Sequence, residues 1–337
     1  MKIELDMYQT LAVAVLVLML GKFLRARVQV LERFCIPAPV IGGVLFAIFT
    51  CVCYVTGVAE FAFDDILKEV CMVMFFTSVG FQANLKVLKS GGRAMIVFLG
   101  VVIVLIVSQN FVAVGLAKLL GVDALVGLCT GSIPMVPEDD SLLVEEEMKH
   151  ERHTTMYPAA SFQLIVAMGI GTVLSRLLSL TGMTFPIYIG AMIAAAIIRN
   201  VGEYGGGYTV YMGEINDIGG ICLSLFLGMA MITLKLWQLA ELALPLIVLL
   251  AGQTLFMILY VVLVVFNIMG RDYDAAVIVS GTCGFGMGAT PNAMANMQAI
   301  CDKYSPSVKA YLLIPLVGSL FADFLNSLVI TVFINFI

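Results

Sequence analysis

Apolar runs with almost no charge follow one another along nearly the whole chain, and they leave few folds open to it. They lie at about 8–21, 36–59, 70–85, 94–117, 157–175, 183–198, 218–234, 242–267, 275–301 and 310–337, with a shorter run at 122–137. Inside a bilayer every lipid-exposed peptide group must be satisfied within its own segment, so runs of this length become helices. Charged residues make up 12% of the chain and hydrophobic ones 61%, against roughly 25% charged in a soluble domain. Such a chain cannot clothe a water-facing surface. The expected fold class is all-α, a polytopic membrane protein. The net charge of −5 says little about partners. No basic patch with interleaved aromatics points to nucleic acid.

The strongly hydrophilic stretch is 138–155, with Glu145, Glu146, Glu147, Lys149, His150, Glu151, Arg152 and His153. An H-x-x-H in an exposed charged segment is weak evidence for a metal, so it reads as a solvated linker. The eight cysteines lie mostly within apolar runs and read as reduced, small, buried residues. Glu4 and Asp6 precede the first apolar run, where a cleavable signal would start basic. There is no G-x-S-x-G, Walker loop or paired zinc-ligand motif, so neither an enzyme nor a cofactor is expected.

Lys and Arg orient the spans. With the N-terminus outside, thirteen of the 18 basic residues fall inside; Lys2, Lys68, Lys118, Arg176 and Lys235 fall outside. That is the bias of the positive-inside rule. In the second half it holds only if 275–301 enters and leaves on the inside face.

The two halves resemble each other. Residues 72–88 can be laid on 223–239, Gln109 on Gln253, 121–132 on 270–282 with one insertion, and Pro37 on Pro186. The offset stays between 144 and 151. Five crossings per half would set the copies upside down to each other. This is the plan of an inverted-repeat secondary transporter, with its site near the midplane.

The stretch richest in chemistry is GTCGFGMGATPNAMANMQAI, residues 281–300. As one helix, the uncharged residues between Asp274 and Asp302 would span about 40 Å. Gly281, Gly284, Gly286, Gly288 and Pro291 weaken or break such a helix. A re-entrant hairpin is therefore predicted, with its tip near 286–291. Free N–H groups near Pro291 and Asn292 suit a carboxylate. Open carbonyls and the oxygens of Thr282, Thr290, Asn292 and Asn296 suit sodium. The competing reading is a glycine-rich packing seam. In the last span Asp323 and Asn326 share a helical face and are site candidates, the alternative being an interhelical hydrogen bond or a protonated acid. Gln109 and Gln253 read as interhelical glue rather than ligands. Ser78, Gln82 and Asn84 read as interfacial.

At CGFGMGATPNAMANMQAI the chain resembles the bacterial sodium/glutamate symporter family. IPAPVIGG at 36–43, FFTSVGFQANLKVLKSGGR at 75–93, YMGEINDIGGICLSLFLGMAMITLKLWQLAELALPL at 211–246, MGRDYDAAV at 269–277 and FADFLNSLVI near the end agree with it. The resemblance implies inverted five-helix repeats, a re-entrant loop in each, and a homodimer in the inner membrane. It also implies L-glutamate uptake coupled to inward sodium flow. Gly284, Gly286, Gly288, Thr290, Asn292, Asp323 and Asn326 are then the substrate candidates, and Thr282, Thr290, Asn296 and Asp323 the sodium candidates.

The chain departs from the family after GSIPMV, residues 131–136. The family pattern continues with a Gly-Gly-His-Gly-Thr loop and another crossing; here Val136 runs into Pro137 and the charged linker. The expected organisation is a truncated first repeat at 1–137, a cytoplasmic linker at 138–156, and a second repeat at 157–337. To keep the charge pattern, 121–137 is expected to cross as a short fifth helix or to tilt strongly. Loss of the first loop is expected to impair transport. The competing function is a membrane subunit that only dimerises or packs with a partner.

Overall fold

The computed structural model describes residues 2–28, 38–85, 92–132, 156–180, 185–205, 209–237, 242–287, 290–301 and 303–336. In chain order the elements are β1 (Lys2–Leu5), α1 (Met7–Arg27), α2 (Ala38–Val55), β2 (Glu60–Phe63), α3 (Ile66–Gln82), α4 (Gly92–Leu119) and α5 (Ala124–Leu128). Then come α6 (Tyr157–Ser179), α7 (Ile187–Gly205), α8 (Met212–Ile232) and α9 (Ala243–Tyr260). The second half closes with α10 (Tyr273–Gly286), α11 (Thr290–Cys301), α12 (Val308–Val317) and α13 (Asp323–Phe336). A π-helical turn at Val261–Val265 carries α9 on to Met269, and another at Gly318–Ala322 joins α12 to α13.

Among the described residues six helices are long and apolar enough to cross a membrane: α1, α2, α4, α6, α8 and Ala243–Met269. Large apolar side chains such as Leu16, Phe162 and Leu263 are each more than 60% exposed. Helices hydrophobic on outward faces belong in lipid, not water. The protein is an all-α, multi-pass membrane protein.

The chain divides into two compact units. The first comprises Met1–Phe76 and Asp217–Ala243. Asp6 starts α1 with a capping box: its carboxylate accepts from the Gln9 N–H at 2.8 Å, and the Gln9 side chain accepts from the Asp6 N–H at 3.1 Å. The first two helices meet at glycines. A Cβ on Gly21 would lie 2.0 Å from the Ala38 carbonyl oxygen, and one on Gly42 would lie 2.0 Å from that of Val17. Ala14, Val17, Met229 and Ile232 form the buried centre of this unit, with Leu11, Phe46, Phe63 and Leu225 against them. The two short strands pair in parallel, Lys2 opposite Glu60.

The second unit comprises Thr77–Asn216 and Leu244–Ile337. Here α6 and α7 also meet at glycines: a Cβ on Gly171 would lie 2.2 Å from Ala191 Cα, and one on Gly190 would lie 2.2 Å from the Gly171 carbonyl oxygen. The main core joins α4, α9, α10, α11 and α12 through Phe98, Leu105, Met257, Phe285, Met297 and Ile314. Phe98 and Phe285 pack edge to face at 6.4 Å. The Tyr260 hydroxyl donates to the Val101 carbonyl at 2.7 Å.

Several sequence boundaries move. The third helix begins at Ile66, not near 70, because the Asp64 carboxylate accepts from the Ile66 N–H at 2.8 Å and starts it early. The run expected to end at 198 continues to Gly205 and takes Arg199 and Asn200 into α7. The crossing or strongly tilted helix expected over 121–137 is not one continuous helix across its described part. Helix α5 stops at Leu128, and tight turns follow, with Thr130 and Gly131 bonding back three residues. Ser132 beyond these turns is held by Asn110 of α4, whose side-chain oxygen takes the Ser132 N–H at 3.1 Å and whose nitrogen donates to the Ser132 hydroxyl at 2.8 Å. Residues 133–155, with His150 and His153, lie outside the described set. The described cysteines are free, but the expected burial holds only for Cys222: Cys129 is exposed, and Cys51, Cys53, Cys71, Cys283 and Cys301 are half-buried.

Candidate functional site

The 281–300 stretch folds as two half-helices that turn back on each other. Asp272 caps the first by accepting from the Ala275 N–H at 2.7 Å. Helix α10 ends at Gly286, where Met287 leaves helical geometry. Helix α11 starts at Thr290, with Pro291 next, where a missing N–H costs nothing. Contacts between the arms are symmetric about 288–289. A Cβ on Gly281 would lie 2.9 Å from Met297 Sδ, and Asn296 Nδ2 lies 3.5 Å from the Ser280 carbonyl. At the far end the Tyr273 hydroxyl donates to the Ser305 carbonyl, and the Ser307 hydroxyl donates to Asp274 at 2.7 Å. Both ends of the hairpin therefore lie together. The break points the carbonyl end of one half-helix and the amide end of the other at the same few residues, the negative and positive dipole ends respectively.

The sequence candidates are distributed around this break. Gly284 and Gly286 are buried in α10. A Cβ on Gly286 would fall 2.3 Å from Met257 Cε, so the end of α10 is closely packed. Thr282 is fully buried and donates its hydroxyl to the Ile278 carbonyl at 2.7 Å; its oxygen lone pairs remain acceptors. Asn296 is exposed, so the sodium candidates are split between buried and exposed surroundings. Asn326 is buried, and its side-chain nitrogen donates to the Ser132 carbonyl at 3.3 Å. Thr290 and Asn292 occupy the first turn of α11, and Asp323 the first position of α13, directly after a π-helical turn. Gly288 lies outside the described residues.

Two glutamines that sequence reasoning assigned to interhelical glue meet at the break. Gln109 Nε2 donates to the Gly286 carbonyl at 3.1 Å. Gln253 Nε2 donates to the Gln109 backbone carbonyl at 2.8 Å. Both residues are fully buried. The pairing of these two positions between the halves was the available signal. A second group of polar residues is buried: Thr77, Ser78, Gln82 and Asn84. Asn200 holds the end of α3 beside them, donating to the Ala83 carbonyl at 2.7 Å and accepting from the Leu85 N–H at 2.9 Å. The closely spaced polar residues of TSVGFQAN, inside an apolar span, were its signature.

A family model described as sodium/glutamate symporter matches residues 3–139 and 137–306. The sodium/glutamate symporter of Escherichia coli (strain K12) is 34% identical over 392 residues, covering 98% of each chain. That of Haemophilus influenzae is 31% identical over 388 residues, covering 96% of each.

This chain belongs to the sodium/glutamate symporter family.

No solved structure matches it. The departure from the family is visible in the same comparisons. An alignment over 392 residues against a chain of 337 leaves at least 55 positions of the Escherichia coli symporter without a counterpart. The two matched segments of the family model meet at 137–139, beside the point where the symporter pattern stops in the sequence. Members of this family are transporters by name, which agrees with the expectation of a carrier rather than an enzyme.

Proposed function

We propose that the chain moves L-glutamate across the cell membrane by coupling it to inward sodium flow, with the α10–α11 hairpin as the binding element. The observation that carries this is the helix break at the centre of the second unit, where a carbonyl-rich helix end and an amide-rich helix start face the same residues. A carboxylate is suited to the start of α11, and a sodium ion to the end of α10. In this reading the backbone of Gly284, Gly286, Gly288 and Asn292 meets the substrate. Thr290, Asp323 and Asn326 meet its amine or the ion, and Thr282 and Asn296 contribute oxygens to sodium. The hairpin is re-entrant: it dips into the bilayer and returns to the cytoplasmic side, the N-terminus being outside.

The same reading divides the chain into a truncated first repeat at 1–137, a linker at 138–156 and an inverted second repeat at 157–337. Contacts between repeat-related residues support it. The close-approach glycines Gly21 and Gly42 recur as Gly171 and Gly190, within the offset seen in sequence. The cap Asp123 recurs as Asp272. Gln253 bonds to its counterpart Gln109, and Cys71 hydrogen-bonds to its counterpart Cys222. The functional unit is a homodimer.

With one hairpin where the family has two, transport is slower than in full-length relatives. Sodium-driven glutamate uptake into proteoliposomes tests the function. Uptake that needs an inward sodium gradient is expected, at a rate well below that of the Escherichia coli symporter. A stable dimer that binds neither glutamate nor sodium would instead mark a non-transporting subunit.

A further inference from the structure

Three carboxamides in the second unit share one arrangement. Gln109, Gln253 and Asn326 each point the side-chain nitrogen at a backbone carbonyl: Gly286 at 3.1 Å, Gln109 at 2.8 Å and Ser132 at 3.3 Å. A carbonyl can only accept, so each amide must present its NH2 there; the opposite flip would set oxygen against oxygen. Each side-chain oxygen is thereby committed to the other direction. All three oxygens are buried and have no hydrogen-bond partner among the described residues. A buried acceptor left unmet costs about 1–3 kcal/mol.

The sign of this imbalance is informative. Every unmet atom of the three is an acceptor. An anion would make that worse; a cation corrects it. Gln109 is the best placed, because the other end of its planar amide touches the last carbonyl of α10, the negative end of that half-helix. Among the described residues no cluster of His, Cys, Asp or Glu is suited to a transition metal. Neutral oxygens beside a helix carbonyl end suit a hard monovalent ion.

We propose that Gln109, fastened to Gly286 and braced through its backbone by Gln253, presents its buried carboxamide oxygen as a ligand to the coupling sodium ion. This rests on the sodium-coupled reading above and adds a ligand from α4, outside the hairpin and outside the candidates read from sequence.

The test is sodium-specific thermal stabilisation of the purified full chain in detergent, titrating NaCl against choline chloride at constant ionic strength. The native chain is expected to melt at a higher temperature in sodium. Gln109→Met keeps the length and removes the oxygen; it is expected to raise the half-saturating sodium concentration at least tenfold. Gln109→Glu keeps an oxygen and is expected to respond to sodium with a half-saturation that falls as pH rises from 5 to 8. A native sodium response that Gln109→Met reproduces within twofold overturns the proposal and leaves the transport reading standing. A native chain that does not respond to sodium overturns both. If Gln109→Met does not fold, Gln109→Glu decides: a half-saturation equal to native and independent of pH overturns the assignment.

Discussion

Residues 121–132 and 270–286 start alike and end differently. Each follows a long apolar helix, and each opens with an aspartate capping a new one: Asp123 accepts from the Leu125 N–H at 2.8 Å, Asp272 from the Ala275 N–H at 2.7 Å. The second runs 14 residues, breaks, and returns as α11. The first runs five residues, turns, and is held at Ser132 by Asn110. A cap with a short apolar run is enough to start a helix that turns back along its predecessor. The described residues after the second cap include a returning arm, α11, which Thr290 and Pro291 begin.

The largest test restores what the first copy lacks. Grafting the segment of the Escherichia coli symporter that has no counterpart here after residue 136 is expected to raise sodium-driven glutamate uptake at least tenfold; an unchanged rate would overturn the proposal that its absence slows transport. Next is Gly286→Val. Its Cβ would sit 2.3 Å from Met257 Cε, so overpacking of about 1–3 kcal/mol and loss of glutamate binding are expected, read by melting and by ligand binding. Asn110→Ala probes the first copy. It strands the buried Ser132 N–H, and destabilisation of about 1–3 kcal/mol is expected, without the sodium defect of a Gln109 variant. Removing the caps compares the copies directly: Asp272→Ala is expected to cost about 1 kcal/mol, and Asp123→Ala less, because it starts only a single short turn.

Outside the comparison, Lys2→Ala should change nothing measurable in melting at moderate salt. Its hydrogen bond and charge hold the Glu4 carboxyl below its ordinary range, but the pair is fully exposed and screened. Any stabilisation from it would be present above that range and fade as pH falls through it. For topology, a cysteine at position 140, in a background without reactive native thiols, is expected to label from the cytoplasmic face; labelling from outside alone would reject the proposed orientation.

Most of the fold was legible because lipid demands long uncharged helices, and these stand out in any hydropathy reading. The helix break was legible for the same reason in reverse: Gly284, Gly286 and Pro291 sit where a continuous helix would be expected to persist. Less legible were features set by one side chain reaching another helix. Nothing local to 121–132 says that Asn110 will take Ser132, and so an unbroken span looked natural there. Likewise the role of Gln109 depends on the carbonyl of a residue 177 positions away. The bonds of Asn200 to Ala83 and Leu85 also depend on the continuation of α7 past residue 198, which hydropathy alone cut short.

The π-helical turn at Gly318–Ala322 has a mechanical meaning for the last helix. A π turn accommodates one residue more than an α turn, so it sets the phase of everything after it. Winding the same residues as plain α-helix, with none removed, would swing Asp323 through Phe336 by about 100° about the axis. Asn326 would then leave Ser132, and the edge-to-face packing of Phe333 on Phe111 would be lost with it. One surplus residue thus acts as the indexing notch of the C-terminal helix.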